Sequence, residues 1–187
     1  MRIVAGKHRG RPIEPPDGAE TRPTSALTRE SVFNILSHGR FAADGDPLTG
    51  SIVLDGFAGS GANGLEALSR GAGHAVFMES QAAALNALRA NLRTLGEQAN
   101  ATVVHGDCLR PPRATAACSL VILDPPYRQG LAAPALEALQ RAGWIAPDAL
   151  VAVELMKTED LHVPAGFEEL DTRRYGKAKV VFLRAGA

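Results

Sequence analysis

Five short apolar runs recur along the chain: IVL at 52–54, AVFM at 75–78, TVV at 102–104, LVIL at 120–123 and LVAV at 150–153. They are continuous rather than alternating and rich in Val and Ile, which predicts strands buried on both faces. Between the runs the apolar spacing changes to threes and fours. Leu65 and Leu68 share one face of GLEALSRGA, with Gly71 placed to stop that helix. Leu85, Leu88, Leu92 and Leu95 form a second amphipathic stripe, closed by Gly96. Residues 132–142 predict a third helix. Strand and helix in turn at this spacing make an α/β fold, a parallel sheet with helices on both faces.

The two ends follow a different pattern. EELDTRRY, then Gly176-Lys177, then AKVVFLR predicts two strands and a tight turn. That antiparallel C-terminal hairpin would complete a mostly parallel seven-stranded sheet. The head, RIVAGKHRGRPI, predicts a small β-hairpin extension, and residues 14–23 a loop. Residues 25–37 predict a helix whose buried side is Leu27, Val32, Ile35 and Leu36. The expected division is a basic hairpin and loop over 1–24 and a single domain over 25–187.

Composition narrows the function. The chain has 187 residues, 45% of them hydrophobic, and a formal net charge of zero, so it is no polycation overall. Charge is placed unevenly, however. Residues 1–13 hold Arg2, Lys7, Arg9 and Arg11 and no acid, and residues 172–187 hold five cations and no acid. Basic ends on a neutral body fit a polyanion touched at one face. Cys108 and Cys118 are the only cysteines and the five histidines are scattered, so no metal site is expected. No secretory h-region and no run of about 20 apolar residues is present, so a cytoplasmic protein with no membrane span is expected.

The chemistry is concentrated where strands end. Asp55, Glu79, Asp107, Asp124 and Glu154 each follow one of the five runs. In open α/β sheets ligands bind outside the carboxyl ends of the strands, so these acids would line one edge. After Asp55 comes GFAGSGANG, in which Gly59, Gly61 and Gly64 satisfy GxGxxG. A dinucleotide dehydrogenase and an S-adenosylmethionine enzyme share that much. Two features decide between them, the DPPY that ends the fourth run and Asp55, four residues before Gly59: a carboxylate there repels a pyrophosphate and suits the ammonium group of methionine. Glu79 is then placed for ribose hydroxyls. Asp107, with Cys108 beside it, is placed for the adenine amino group.

The fourth run ends in Asp124-Pro125-Pro126-Tyr127. Two prolines fix φ and cannot donate, so the Asp124 carboxylate and the Pro125 carbonyl become two acceptors at a set separation. An exocyclic amino group has two N–H donors to match them. Tyr127 offers a flat face for a base.

These motifs together resemble the bacterial small-subunit ribosomal RNA guanine-N2 methyltransferases, the RsmD family. The resemblance rests on RIVAGKHRGRPI, RPTSALTRESVFNIL, LDGFAGSGANGLEALSRGA, the DPPY loop and YGKAKVVFLR. It implies a Rossmann-like methyltransferase fold that moves a methyl group from S-adenosylmethionine to the N2 amino group of one guanine in 16S rRNA. Asp55, Phe57, Gly59, Ser60, Gly61 and Glu79 would hold the cofactor, and Asp107 and Cys108 its adenine. Asp124 to Tyr127 would hold the guanine. Arg22, Pro23 and Thr24 would lie over the cofactor. The basic head, Lys7, Arg9 and Arg11 with Arg22, would meet RNA. Asn63 departs from the pattern, standing where an aliphatic residue is usual. The expected enzyme is a monomer acting on a partly assembled small subunit, without a metal. Rival readings are a DNA adenine-N6 methyltransferase, a protein glutamine methyltransferase, a nicotinamide dehydrogenase and a non-catalytic RNA-binding module.

Overall fold

The computed structural model describes residues 1–16, 24–38, 40–42 and 45–186. One sheet of seven strands organises them. Its strands are β1 Ile52–Gly56, β2 His74–Glu79, β3 Ala101–His105, β4 Cys118–Leu123, β5 Ile145–Met156, β6 Phe167–Tyr175 and β7 Ala178–Ala185. Their spatial order is β3-β2-β1-β4-β5-β7-β6, parallel from β3 to β5, with β7 antiparallel to both β5 and β6. The order reverses between β1 and β4. At that switch point the loops leaving the two strands diverge and open a crevice.

Helices cover both faces, as the alternating pattern requires. Helices α1 Thr24–His38, α2 Ala62–Ser69 and α3 Ala82–Leu95 pack on one face and α4 Ala132–Arg141 on the other. Successive strand residues serve opposite layers: Leu120 and Ile122 face α1, whereas Val121 and Leu123 face α4. That is why these runs are continuous rather than alternating. Helix α3 ends where expected, with Gly96 in the left-handed region at φ 72.

Three elements differ from the reading of the sequence. Strand β5 begins at Ile145, well before the LVAV run, and its register against β4 shifts between Cys118 and Leu120. Pro147 lies in that irregularity, and Asp148 beside it adopts φ 58; a proline inside a sheet needs such a bulge. Leu27 is not part of the buried side of α1 but is 68% exposed, while Thr28, Arg29 and Phe33 are buried. The head forms one isolated bridge, Arg2 to Pro12, rather than a ladder. It is held down by Ile3 and Ile13, both buried against α2 and α3. Burying two such side chains contributes roughly 1.5–3 kcal/mol each.

Candidate active site

The carboxyl edge gathers the predicted acids. Asp55 lies in β1, Glu79 ends β2, Asp124 follows β4 and Glu154 lies near the end of β5. Gly56 of β1 is in register with Leu123 of β4, and the Asp124 N–H points to the Gly56 carbonyl at 3.4 Å. The glycine bend and the DPPY loop therefore leave the sheet side by side.

The bend is fastened from several directions. Gly59 N–H donates to Glu79 Oε2 at 2.8 Å and Gly64 N–H to Asp55 Oδ2 at 2.8 Å. The Asn91 side chain donates to the Ser60 carbonyl at 3.0 Å. The glycines divide by function. A Cβ at Gly64 would stand 2.3 Å from the Phe77 ring, so this glycine lets α2 approach β2. Gly59, at φ 56, would point a Cβ into open space with nothing within 4 Å. Phe57 takes φ 57, unusual for a side chain of its size, at the mouth of the bend.

Asp55 is 1% exposed. Burial pushes its carboxyl up to about 7, against the opposing pull of the Gly64 N–H and the Asn63 side chain. Asn63, the departure from the family pattern, thus serves the acid it neighbours. Asp55 Oδ1 is buried, and among the described residues no donor reaches it with hydrogen-bond geometry. That orphaned oxygen and the open space before Gly59 fit the ammonium group and body of S-adenosylmethionine.

Glu79 already accepts three backbone N–H groups, from Gly59, Ser80 and Gln81, each at 2.8 Å. A carboxylate has about four acceptor positions, which leaves room for a ribose hydroxyl. Asp107 is exposed and accepts the Leu109 N–H at 2.9 Å in the turn after β3. Cys108 follows Asp107 in this turn. Its side chain is 2% exposed, and burial pushes the thiol up to about 12. It packs beside Gly56, at the carboxyl end of β1.

In the DPPY loop Pro125 is buried, Pro126 exposed and Tyr127 half-buried. The Tyr127 hydroxyl donates to Glu154 Oε1 at 2.7 Å. Arg128 follows at φ 62, its N–H held by Glu159 Oε1 at 2.6 Å. Arg22, Pro23 and the side chain of Thr24 lie outside the described residues.

A network below this edge escaped the sequence reading. Glu66, fully buried in α2, accepts the N–H groups of Val4 and Ala5 at 2.8 and 3.0 Å and pairs with Arg70 at 2.7 Å. Arg29 of α1, 3% exposed, lies 3.6 Å from Glu66 and donates to the Arg2 carbonyl at 2.8 Å. Burial lowers the affinity of its guanidinium for the proton, while Glu66, Asp55 and Glu154 oppose that shift. The visible signal was the Glu66–Arg70 spacing of four on a helix otherwise reading as core.

The head cations stand apart from the edge. Lys7 pairs with Glu97 at 2.7 Å, and Arg11 donates to the Thr94 carbonyl at 2.8 Å. Both partners lie at the far end of α3, whose 14 residues span roughly 21 Å. The exposed Arg9 belongs to the same turn. Among the described residues no cluster of three or more His, Cys, Asp or Glu could hold a metal. Among them, too, no helix is long and apolar enough to cross a membrane.

Comparison with known proteins gives this edge a context. A family model described as conserved hypothetical protein 95 matches residues 1–184. Ribosomal RNA small subunit methyltransferase D of Escherichia coli K12 is 38% identical over 155 residues, 82% of this chain and 74% of that protein. The protein of that name in Haemophilus influenzae is 36% identical over 180 residues, 94% of this chain and 89% of the relative. The chain belongs to this family. The solved structure of Escherichia coli yhhF superposes with a TM-score of 0.83 at 34% identity, covering 100% of this chain and 98% of that one. The sheet order and the covered faces are those of the Rossmann-like methyltransferases, and the fold expected of an RsmD-family member is the fold present.

Proposed function

We propose that this RsmD-family chain moves a methyl group from S-adenosylmethionine to the N2 amino group of a guanine in 16S rRNA. The observation that carries the reading is the adjacency of two loops. The Gly56–Leu123 register sets a glycine bend with an orphaned carboxylate oxygen beside a rigid Asp-Pro-Pro-Tyr loop. The curated relatives are named for small-subunit ribosomal RNA, which favours that substrate over DNA adenine or protein glutamine.

Bound in the bend, S-adenosylmethionine supplies an electrophilic methyl group on a sulfonium. Asp55 would hold its ammonium group, Glu79 its ribose and Asp107 its adenine. Asp124 and the Pro125 carbonyl would accept the two N–H bonds of the guanine amine. That pairing favours a tetrahedral nitrogen, whose lone pair is free to attack, and stabilises the positive charge that develops there. Asp124 then takes the proton that becomes acidic once the N–C bond has formed. Tyr127 would stack on the base and fix its plane. Orientation of this kind supplies roughly 7–11 kcal/mol of a bimolecular barrier. The guanine must be splayed out of its helix to enter. All these groups come from one chain, so a monomer suffices. A chain this small gains specificity if a partly assembled subunit presents the base.

The test is to map methylated guanines in 16S rRNA from a strain lacking the gene, with and without complementation. We expect one N2-methylguanine to vanish and return. Identical modification in both strains would remove rRNA as the substrate.

A further inference from the structure

The head was the expected RNA contact, yet its cations sit near the far end of α3. A different set of cations lies on segments bonded to the DPPY loop or to its neighbours. We propose that Arg128, Lys157 and Lys177 form a phosphate-binding rim that grips the RNA strand on either side of the base presented to Asp124. This inference rests on the rRNA reading above and adds the place where the strand is held.

Three separate segments are tied together to build the rim. The Lys157 N–H donates to the Lys177 carbonyl at 2.8 Å, which fastens the β6–β7 turn to the end of β5. Glu159 accepts the Arg128 N–H at 2.6 Å on one oxygen and the Met156 N–H at 2.9 Å on the other. One carboxylate therefore clamps the DPPY loop to the same strand end. The Arg128 guanidinium lies against the Met156 sulfur, with Nε 3.1 Å from Sδ, next in sequence to Lys157. Arg128 holds this place in the left-handed region at φ 62, where a side chain is rarely found. Such a conformation persists where surrounding bonds impose it.

The acids near the rim make their closest contacts to other groups. Both Glu159 oxygens are taken by backbone N–H groups, and Asp160 lies 3.9 Å from Lys179. Glu154 accepts the Tyr127 hydroxyl. Arg128, Lys157 and Lys177 are all exposed, and among the described residues none forms an ion pair within 4 Å. Three solvent-facing cations beside a loop that receives a splayed base match the phosphates flanking that nucleotide. The head differs: Lys7 is neutralised by Glu97, and Arg11 is spent on the Thr94 carbonyl.

The full-length protein, its Lys157→Ala/Lys177→Ala double variant, Arg128→Ala and the head variant Arg9→Ala are compared on 16S rRNA. Affinity is measured across a salt series, with S-adenosylhomocysteine titrated into each protein. We expect the double variant to bind RNA about tenfold more weakly near 0.15 M salt and to lose roughly 1.4–1.8 from the log–log salt slope, about 0.7–0.9 per phosphate released. Its S-adenosylhomocysteine affinity stays at the wild-type value. Lys157→Arg/Lys177→Arg restores RNA binding. An unchanged slope in the double variant, with the wild type methylating rRNA normally, overturns the rim and leaves the functional reading standing. A wild type that methylates no rRNA removes the functional reading, and the rim falls with it.

Discussion

The Tyr127 hydroxyl donates to Glu154 Oε1 at 2.7 Å, joining the loop after β4 to the strand beside it. The ring proposed to stack on the base is thereby held by its far end. Tyr127→Phe keeps the ring and removes the tether. A hydrogen bond to a charged group contributes about 1.5–3 kcal/mol, so we expect single-turnover methylation to slow by roughly tenfold or more. Tyr127→Ala also loses the stacking surface, about 1–3 kcal/mol, and should be slower again. Equal rates for wild type and the Phe variant would show that the ring needs no tether.

Asp124 carries the proposed proton transfer and half of the amine recognition. Asp124→Ala should reduce methylation by at least about a hundredfold, the scale of losing one preorganised polar group. S-adenosylhomocysteine affinity, read by calorimetry, should stay within a few fold. Loss of cofactor binding in a folded variant would assign Asp124 to the cofactor instead.

Asp55 gives a pH signature. Burial raises its carboxyl from the ordinary 3.8 to about 7. Only the ionised form pairs with an ammonium group, so S-adenosylhomocysteine affinity should climb from pH 5.5 to 7 and level off above it. Asp55→Asn should flatten that rise. Stability runs the other way. Between 3.8 and 7 the folded chain keeps a proton that the unfolded chain has released, so stability from this group falls as pH rises through that window. Asp55→Asn should therefore melt higher than wild type at pH 8. A pH-independent wild-type affinity would contradict the assignment.

Glu66 is the anchor of the head and the buried counter-ion of Arg29 and Arg70. Glu66→Gln leaves two guanidinium groups without their carboxylate. Breaking a buried pair from one side costs about 3–5 kcal/mol, which thermal denaturation would register directly. A melting temperature within a degree or two of wild type would show that the two arginines find other partners.

The parallel sheet and its edge were readable from the sequence because both depend on local pattern. Val53-Leu54-Asp55 and Ile122-Leu123-Asp124 each announce a buried strand and the acid that ends it. What hydropathy hides is polar burial. In α1 the strong buried positions are Thr28, Arg29, Val32, Phe33 and Leu36, a regular helical stripe with a cation inside it. Counting only apolar residues moved the stripe toward Leu27. The Arg29 position makes sense only with Glu66, which is distant in sequence and reads as an ordinary helix surface residue. The place of the head was hidden for a similar reason. Its cations suggested an RNA contact, but Ile3, Ile13 and the Glu66 carboxylate decide where the segment lies. Gly6 reinforces that choice, since a Cβ there would stand 1.8 Å from the Ser69 carbonyl oxygen.

Glu79 braces the edge from the end of β2. Its two oxygens hold the N–H groups of Gly59, Ser80 and Gln81, so the bend and the segment leading into α3 are locked together ahead of any ligand. A mould already set spends little binding free energy on ordering itself. Uptake of S-adenosylhomocysteine should accordingly follow a single phase whose rate rises linearly with concentration, and Glu79→Ala should add a slow second phase as the slackened loop regains its shape.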